Sequence, residues 1–573
     1  MSRPDWIVLI VTLVGMIAYG LYKSGTSKNL DGYFLSNRSM PWYIILLSIM
    51  GTQASAVTFL SAPGQAYTDG MRFVQYYFGL PIAMVVLCIT FLPAFHKLKI
   101  YTAYEFLETR FDVKTRTLTS FLFLLQRGLS TGISISAPSI ILSSLLGWNI
   151  MWTNIFMGGL LIVYTVTGGA KAVAYTQQLQ LIIIFGGMII AGYMVIHLLP
   201  ANVGFFDALH VSGKAGKLNV ITTGINKNGF NWNDRYNLFS GVIGGFFLAL
   251  SYFGTDQSQV GRYLTAKSEK ESKLGLLMNG LVKVPMQFAI LLIGILVFAF
   301  YQYNNEPVFF NQSQIKVLEN SKYRDSLAIL KTEYDADQAL KIKEMNLISS
   351  VDKNSNQYQQ AQSNLQSIEN RKSEFRKTVK RWLEDKTVRG DSNDTNYIFL
   401  RFVVDYLPKG LIGLLIAVIF LAAWGSIAAA LNSLASATIV DFHKRFSKKE
   451  LSEKKEYDLS RWYTLLWGIF CVVVAQLAYN IGNSLIEAVN VLGSLFYGVI
   501  LGVFLVAFYM KKVSGNAVFI SAVIVELCVV AIQVLNQKGI INLSFLWLNA
   551  VGAIGVLLLS SIMNIFFPRK VVQ

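Results

Sequence analysis

The chain has 573 residues, of which 53% are hydrophobic and only 14% charged, with a formal net charge of +17. Its charges cluster between long apolar runs, a pattern that excludes a water-soluble globular domain and defines a polytopic membrane protein. The basic excess sits mainly in short loops, and no basic stripe with interleaved aromatics points to a nucleic-acid partner.

Apolar runs long enough to cross ~30 Å of hydrocarbon recur about thirteen times. They lie near 4–22, 41–64, 73–95, 118–146, 149–169, 174–199, 236–260, 276–303, 409–440, 462–481, 484–510, 515–535 and 541–566. The expected fold is therefore all-α and membrane-spanning. The first span lacks the basic flank and small-residue cleavage site of a removed signal peptide, so it is expected to be retained.

The second span, PWYIILLSIMGTQASAVTFLSAPG, places Gly51, Thr52, Gln53, Ser55 and Thr58 near the middle of an otherwise apolar run. Five spans later, GVIGGFFLALSYFGTDQSQVGRY carries paired glycines at 244 and 245 and a second interruption at FGTDQ. Unwound backbone is tolerated at membrane depth only where it lines a cavity, so two interrupted helices at corresponding positions predict a carrier built from inverted repeats. Between them, Arg127 sits inside the apolar stretch FLFLLQRGLSTGISIS. A guanidinium there must face protein, water or a counter-anion.

Residues 304–396 leave the apolar pattern. They are polar, with Ile315, Leu318, Leu327 and Leu330 at helical spacing, which predicts two or three amphipathic helices outside the bilayer. They form a solvated spacer, a surface that docks an extracytoplasmic partner, or a lid. The ninth span, LAAWGSIAAALNSLASATIVDFHKRF, combines alanines at 422, 423, 428, 429 and 430 with Ser426, Asn432, Ser433 and Ser436. Such a face suits close helix packing or a polar passenger.

Loops 96–116, 262–273, 441–461, 510–512 and the tail at 568–570 carry most short-loop Lys and Arg, whereas TDG, LLGWN and YNIGN carry none. The positive-inside rule then puts the N-terminus outside and the C-terminus in the cytoplasm. Cys88, Cys471 and Cys528 lie far apart within spans and imply no disulfide framework. The histidines at 96, 197, 210 and 443 form no metal motif, and no phosphate-binding GxxxxGK[ST] loop occurs. An enzyme and an ATP-driven pump are thereby disfavoured, leaving facilitated or ion-coupled movement of a solute.

TQASAVTFLSAPGQAY in the second span, TGGAKAVAYTQQLQ entering the sixth, TDQSQVGRYLTAKS leaving the seventh and ALNSLASATIVD in the ninth together resemble the solute:sodium symporters. The resemblance implies a leucine-transporter-type core of two five-helix inverted repeats. The first would span 41–199 and the second 236–511, interrupted by the 304–396 insert between 236–303 and 397–511. Residues 1–40 would add a helix before the core, 200–235 an extracytoplasmic loop, and 512–573 two helices and a cytoplasmic tail. It further implies a multi-pass protein of a plasma membrane, here a bacterial inner membrane, with sodium ion as the coupling ion.

Anchored on Asn432 and Asp441, the family's principal sodium site falls on the carbonyls of Gly51, Ala54 and Ala422 and the side chain of Ser426, oxygens suited to a hard cation. Gly425 stands where the family usually has a second hydroxyl. Gln177, Ala428 and Ala429 stand where a second sodium would need an acid and hydroxyls. At most one coupled sodium is therefore expected, with proton coupling or no coupling as alternatives.

Arg127 resembles the arginine that holds the substrate carboxylate in the family's sialic acid symporters, with Gln53, Ser55 and Thr58 opposite it and Gln75 a further candidate. The solute is then a small carboxylate such as sialic acid. The alternatives are a neutral sugar or polyol, or a sensor on the same fold, with Arg127 tied to backbone carbonyls or an internal acid.

Overall fold

The computed structural model describes residues 1–23, 30–227, 229–351, 355–447, 452–478 and 485–569. The loop at 479–483, one of those expected to carry no positive charge, lies outside the described residues. Among the described residues the fold is all-helical apart from a two-stranded antiparallel hairpin, Ile225–Asn226 with Gly229–Phe230. Among the described residues, nine helices are long and apolar enough to cross a membrane, or ten if one bent pair counts as a single span. Helices also coincide with the other three expected spans. Ile150–Val166 and Ser240–Thr255 are shorter apolar segments, and Val113–Leu146 is rich in Ser and Thr and carries Arg127.

Both predicted interruptions are real breaks. Helices Trp42–Gln53 and Ala56–Asp69 meet at a 62° bend. In an unbroken helix the Ser55 N–H would bond the Gly51 carbonyl and the Thr58 N–H the Ala54 carbonyl. Instead Ser55 N donates to Gln53 O at 3.0 Å and Thr58 N to Ser55 O at 2.9 Å. The second break falls at Asp256, extended between helices Gly245–Thr255 and Gln257–Tyr263. Its carboxylate caps the following helix, accepting from Ser258 N at 2.8 Å and Ser258 Oγ at 2.6 Å.

The spans expected at 149–169 and 174–199 are two helical segments, Ile150–Val166 and Lys171–His197. Tyr164 Oη on the first lies 2.6 Å from Thr176 Oγ1 on the second. Twelve residues of straight helix would separate them by about 18 Å, so the two segments do not continue one another as a single straight helix. Helix Leu411–Ala437 is the central strut. It is buried over almost its whole length and packs against both halves of the first broken helix, Val113–Leu146 and residues 150–197. Its alanines and serines allow this because small side chains let helix backbones approach closely.

The basic loops gather at one end. Asp441 pairs with Arg116 at 2.7 Å and accepts from Thr102 Oγ1 and Ser120 Oγ, while Arg110 reaches the carbonyls of Ala507 and Met510. Helix Glu269–Tyr303 runs from this end to the other, where the insert begins.

The insert folds as three helices, Gln312–Glu319, Arg324–Ser350 and Asn356–Leu383. The two long ones extend about 40 Å each at 1.5 Å per residue. Ile315, Leu318, Leu327 and Leu330 are buried in the insert's own core with Phe309, Tyr334 and Val379. At the base, Glu306 is enclosed by Lys372 at 2.7 Å, Lys341 at 3.3 Å and Arg376 at 2.5 Å, and accepts a hydrogen bond from Tyr67 on the second half of the first broken helix, Ala56–Asp69. The insert is thus fastened to an element that also borders the central cavity.

Candidate solute and sodium site

A cavity of about 140 Å³ lies where the two broken helices, Val113–Leu146, Leu411–Ala437 and Leu485–Tyr509 converge. Its wall includes Gln53, Ser55, Thr58, Arg127 and Ser426, five of the residues singled out from sequence. Gln53 Oε1 is buried and has no hydrogen-bond partner, an acceptor held ready for a donor that enters the cavity.

Gln75 is a correction. It is fully buried but does not line the cavity. Its Nε2 donates to Thr222 Oγ1 and Tyr236 O, both at 3.0 Å, and its Oε1 accepts from Thr222 N at 3.1 Å. Residues Met71–Tyr77 form a 3-10 turn, whose three-residue period sends Gln75 toward the loop while Tyr76 and Tyr77 face the cavity.

Arg127 is 8% exposed, and its closest acid is Asp256, with Nη1 3.7 Å from Oδ2. That distance is longer than a hydrogen bond. The Asp256 carboxylate is already engaged by Ser258 and by Tyr497 Oη at 2.7 Å. The guanidinium carbon lies 5.9 Å from the Tyr252 ring centre, and Nε has no hydrogen-bond partner. Arg127 is therefore charge-compensated while its planar fork is not consumed by a bidentate pair.

At the first break, the carbonyls of Gly51 and Ala54 are the two released by the redirected N–H groups of Ser55 and Thr58. On the helix packed against this break, Ser426 Oγ donates to the Ala422 carbonyl at 3.0 Å and to that of Ala423 at 3.1 Å. The oxygens expected to hold sodium thus come from a break and from the helix packed on it. Carbonyl and hydroxyl oxygens are the donors a hard cation takes. Among the described residues no cluster of His, Cys, Asp and Glu could hold another kind of metal.

Gln177 fills the space beside this site. Ser48 Oγ donates to its Oε1 at 2.8 Å, and its Nε2 donates to Thr52 Oγ1 at 3.1 Å and to the Gly425 carbonyl at 3.0 Å. A Cβ at Gly51 would lie 2.9 Å from Gln177 Cβ, and one at Gly425 only 2.5 Å from Gln180 Oε1. Gly51 is thus held by contact with the root of the Gln177 side chain, whereas at Gly425 the neighbour is the end of a flexible side chain that can turn aside.

Sequence reasoning did not assign Tyr252, Asp256, Tyr497 or Asn490 to the site. Tyr252, Tyr497 and Asn490 line the cavity, and Asp256 connects to it through Arg127 and Tyr497. Asp256 carried a signal: it is an acid inside a membrane-depth interruption, where such a residue needs a partner.

The fold and this site define a multi-pass membrane carrier. Residues 33–321 and 383–525 match the sodium:solute symporter family, and the chain belongs to it. The unmatched stretch between them falls within the insert. The sodium/sialic acid symporter SiaT of Proteus mirabilis is 25% identical across 99% of this chain and 96% of its own length. NanT, a sodium/sialic acid symporter of Aliivibrio fischeri, is 24% identical over 91% of this chain and 85% of its own. The human sodium-coupled monocarboxylate transporter 1 is 26% identical over 87% of this chain and 68% of its own. The substrate-bound outward-open structure of a Na+-coupled sialic acid symporter superposes with a TM-score of 0.74 at 22% identity, covering both chains fully.

Proposed function

We propose that this chain carries a small organic carboxylate, of the sialic acid class, together with one sodium ion by alternating access. The observation that carries the reading is Arg127. It is a buried guanidinium in the wall of the central cavity, with an unpartnered Nε and only a 3.7 Å contact to its neighbouring acid. A bidentate carboxylate is the ligand that such a fork matches. The relatives whose names specify sialic acid and monocarboxylates support the same solute class.

In this reading Gly51, Ala54 and Ala422 supply carbonyls and Ser426 a hydroxyl to the sodium. Gln53, Ser55 and Thr58 contact the solute. The core comprises the 41–199 and 236–511 repeats among thirteen spans, with the basic loops in the cytoplasm of a bacterial inner membrane and the insert outside. The neutral amide of Gln177 and the alanines at 428 and 429 leave one sodium in the cycle.

One observation favours a second reading. The Arg127–Asp256 pair leaves the cavity wall with no net charge, which suits a neutral sugar or polyol. Equilibrium binding to the purified protein, comparing N-acetylneuraminate with uncharged N-acetylmannosamine in saturating sodium, tests the choice. Tighter binding of the carboxylate supports the first reading, and preference for the neutral sugar supports the second.

A further inference from the structure

Asp256 has two sets of contacts that pull in different directions. Ser258 N, Ser258 Oγ and Tyr497 Oη hold it at 2.8, 2.6 and 2.7 Å, which fixes the carboxylate at the break of the second interrupted helix. Tyr497 is tied to the same segment through its carbonyl, which accepts from Ser251 Oγ at 2.6 Å. Arg127, by contrast, approaches the acid only to 3.7 Å. Asp256 is 1% exposed and Arg127 8% exposed, so neither charge is compensated by bulk water.

We infer that Asp256 is the built-in counter-anion of the solute site, a specificity-determining residue that compensates Arg127 when the cavity is empty and yields the guanidinium to the carboxylate of an arriving solute. This rests on the carboxylate reading of Arg127. An unpaired guanidinium would be costly in an empty cavity, and Asp256 removes that cost without occupying the fork. When a carboxylate binds, two anions share one cation at close range, and their repulsion sets an upper limit on affinity. Tyr497 restrains the competitor by holding Oδ2. Asp256 thereby keeps the site selective for solutes whose carboxylate makes the full bidentate contact.

The two residues bracketing this exchange give opposite signs. Asp256→Asn preserves an acceptor for Ser258 and removes the competing charge. It is expected to tighten N-acetylneuraminate binding by about tenfold or more in saturating sodium, a gain larger than any change in the binding of uncharged N-acetylmannosamine. Tyr497→Phe frees Oδ2 to move toward Arg127 and is expected to weaken N-acetylneuraminate binding. Binding isotherms on purified, monodisperse full-length protein read both, with pyruvate and lactate as further carboxylate probes.

Unchanged or weaker carboxylate binding in Asp256→Asn, together with loss of binding in Arg127→Ala, overturns the role of Asp256 and leaves the carboxylate reading standing. Carboxylate binding that survives intact in Arg127→Ala, or no carboxylate binding in the wild type and Asp256→Asn alike, overturns both. A tenfold gain that disappears when Arg127→Ala is added establishes the exchange.

Discussion

Replacing Arg127 by alanine removes the one cation among the described residues of the cavity wall, and the consequence can be worked from its surroundings. Arg127 Nη1 lies 3.7 Å from Asp256 Oδ2, and at that range two unit charges attract by about 4 kcal/mol for an effective dielectric near 20. Asp256 keeps its bonds from Ser258 and Tyr497, so the fold is expected to survive. The solute carboxylate would have no such support. Losing one partner of a desolvated ion pair costs about 3–5 kcal/mol, which at 1.4 kcal/mol per decade is about a hundredfold to a thousandfold or more in affinity. Arg127→Lys keeps a charge but lacks the planar fork, and is expected to recover only a small part. The assay is equilibrium binding of N-acetylneuraminate to monodisperse protein, with melting temperature measured in parallel. Unchanged affinity in both variants, accompanied by a lower melting temperature, would refute the clamp and make Arg127 a structural residue.

Ser426→Ala should raise the half-saturating sodium concentration by about tenfold, since the loss of a ligand oxygen is uncompensated at Gly425; sodium titrations of uptake by the wild type should give a Hill coefficient near one. At the base of the insert, burial pushes the carboxyls of Asp391 and Asp394 up to about 6, against the lowering effects of the Asn393 amide on the first and Arg376 on the second. A raised carboxyl binds its proton more tightly in the folded state, so its contribution to stability is present at low pH and is lost as pH rises from about 4 to about 6. Asp394→Asn keeps an acceptor for the Phe310 and Asn311 amides, so it should raise the melting temperature at pH 8, leave it unchanged at pH 4, and flatten the profile between. One sodium travelling with one monocarboxylate carries no net charge, so a valinomycin-imposed potassium diffusion potential should leave the rate of sodium-driven uptake unchanged.

Both helix breaks were legible in the sequence because small and polar residues inside an apolar run have few structural explanations. Gln53, Ser55, Thr58 and Ser426 could be placed on the cavity because they sit on those breaks or on the alanine-rich strut packed against them. The Arg127–Asp256–Tyr497 grouping was not legible, since it joins three helices separated by more than a hundred residues at each step. No local periodicity reports such a contact. Gln75 misled for a local reason, the 3-10 turn that rotates it toward residues 222 and 236. The insert's helices and core followed from apolar spacing alone. Its attachment through Glu306 did not, because three of its four partners lie in the insert helices and the fourth, Tyr67, lies far away in sequence.

The central claim, sodium-coupled movement of a carboxylate, is tested most directly by uptake of labelled N-acetylneuraminate into sealed proteoliposomes with sodium, potassium and proton gradients imposed one at a time. The account predicts concentrative uptake with the inward sodium gradient alone, abolished in Arg127→Ala and shifted to higher sodium in Ser426→Ala. Uptake driven equally by a proton gradient, or independent of every gradient, would contradict it.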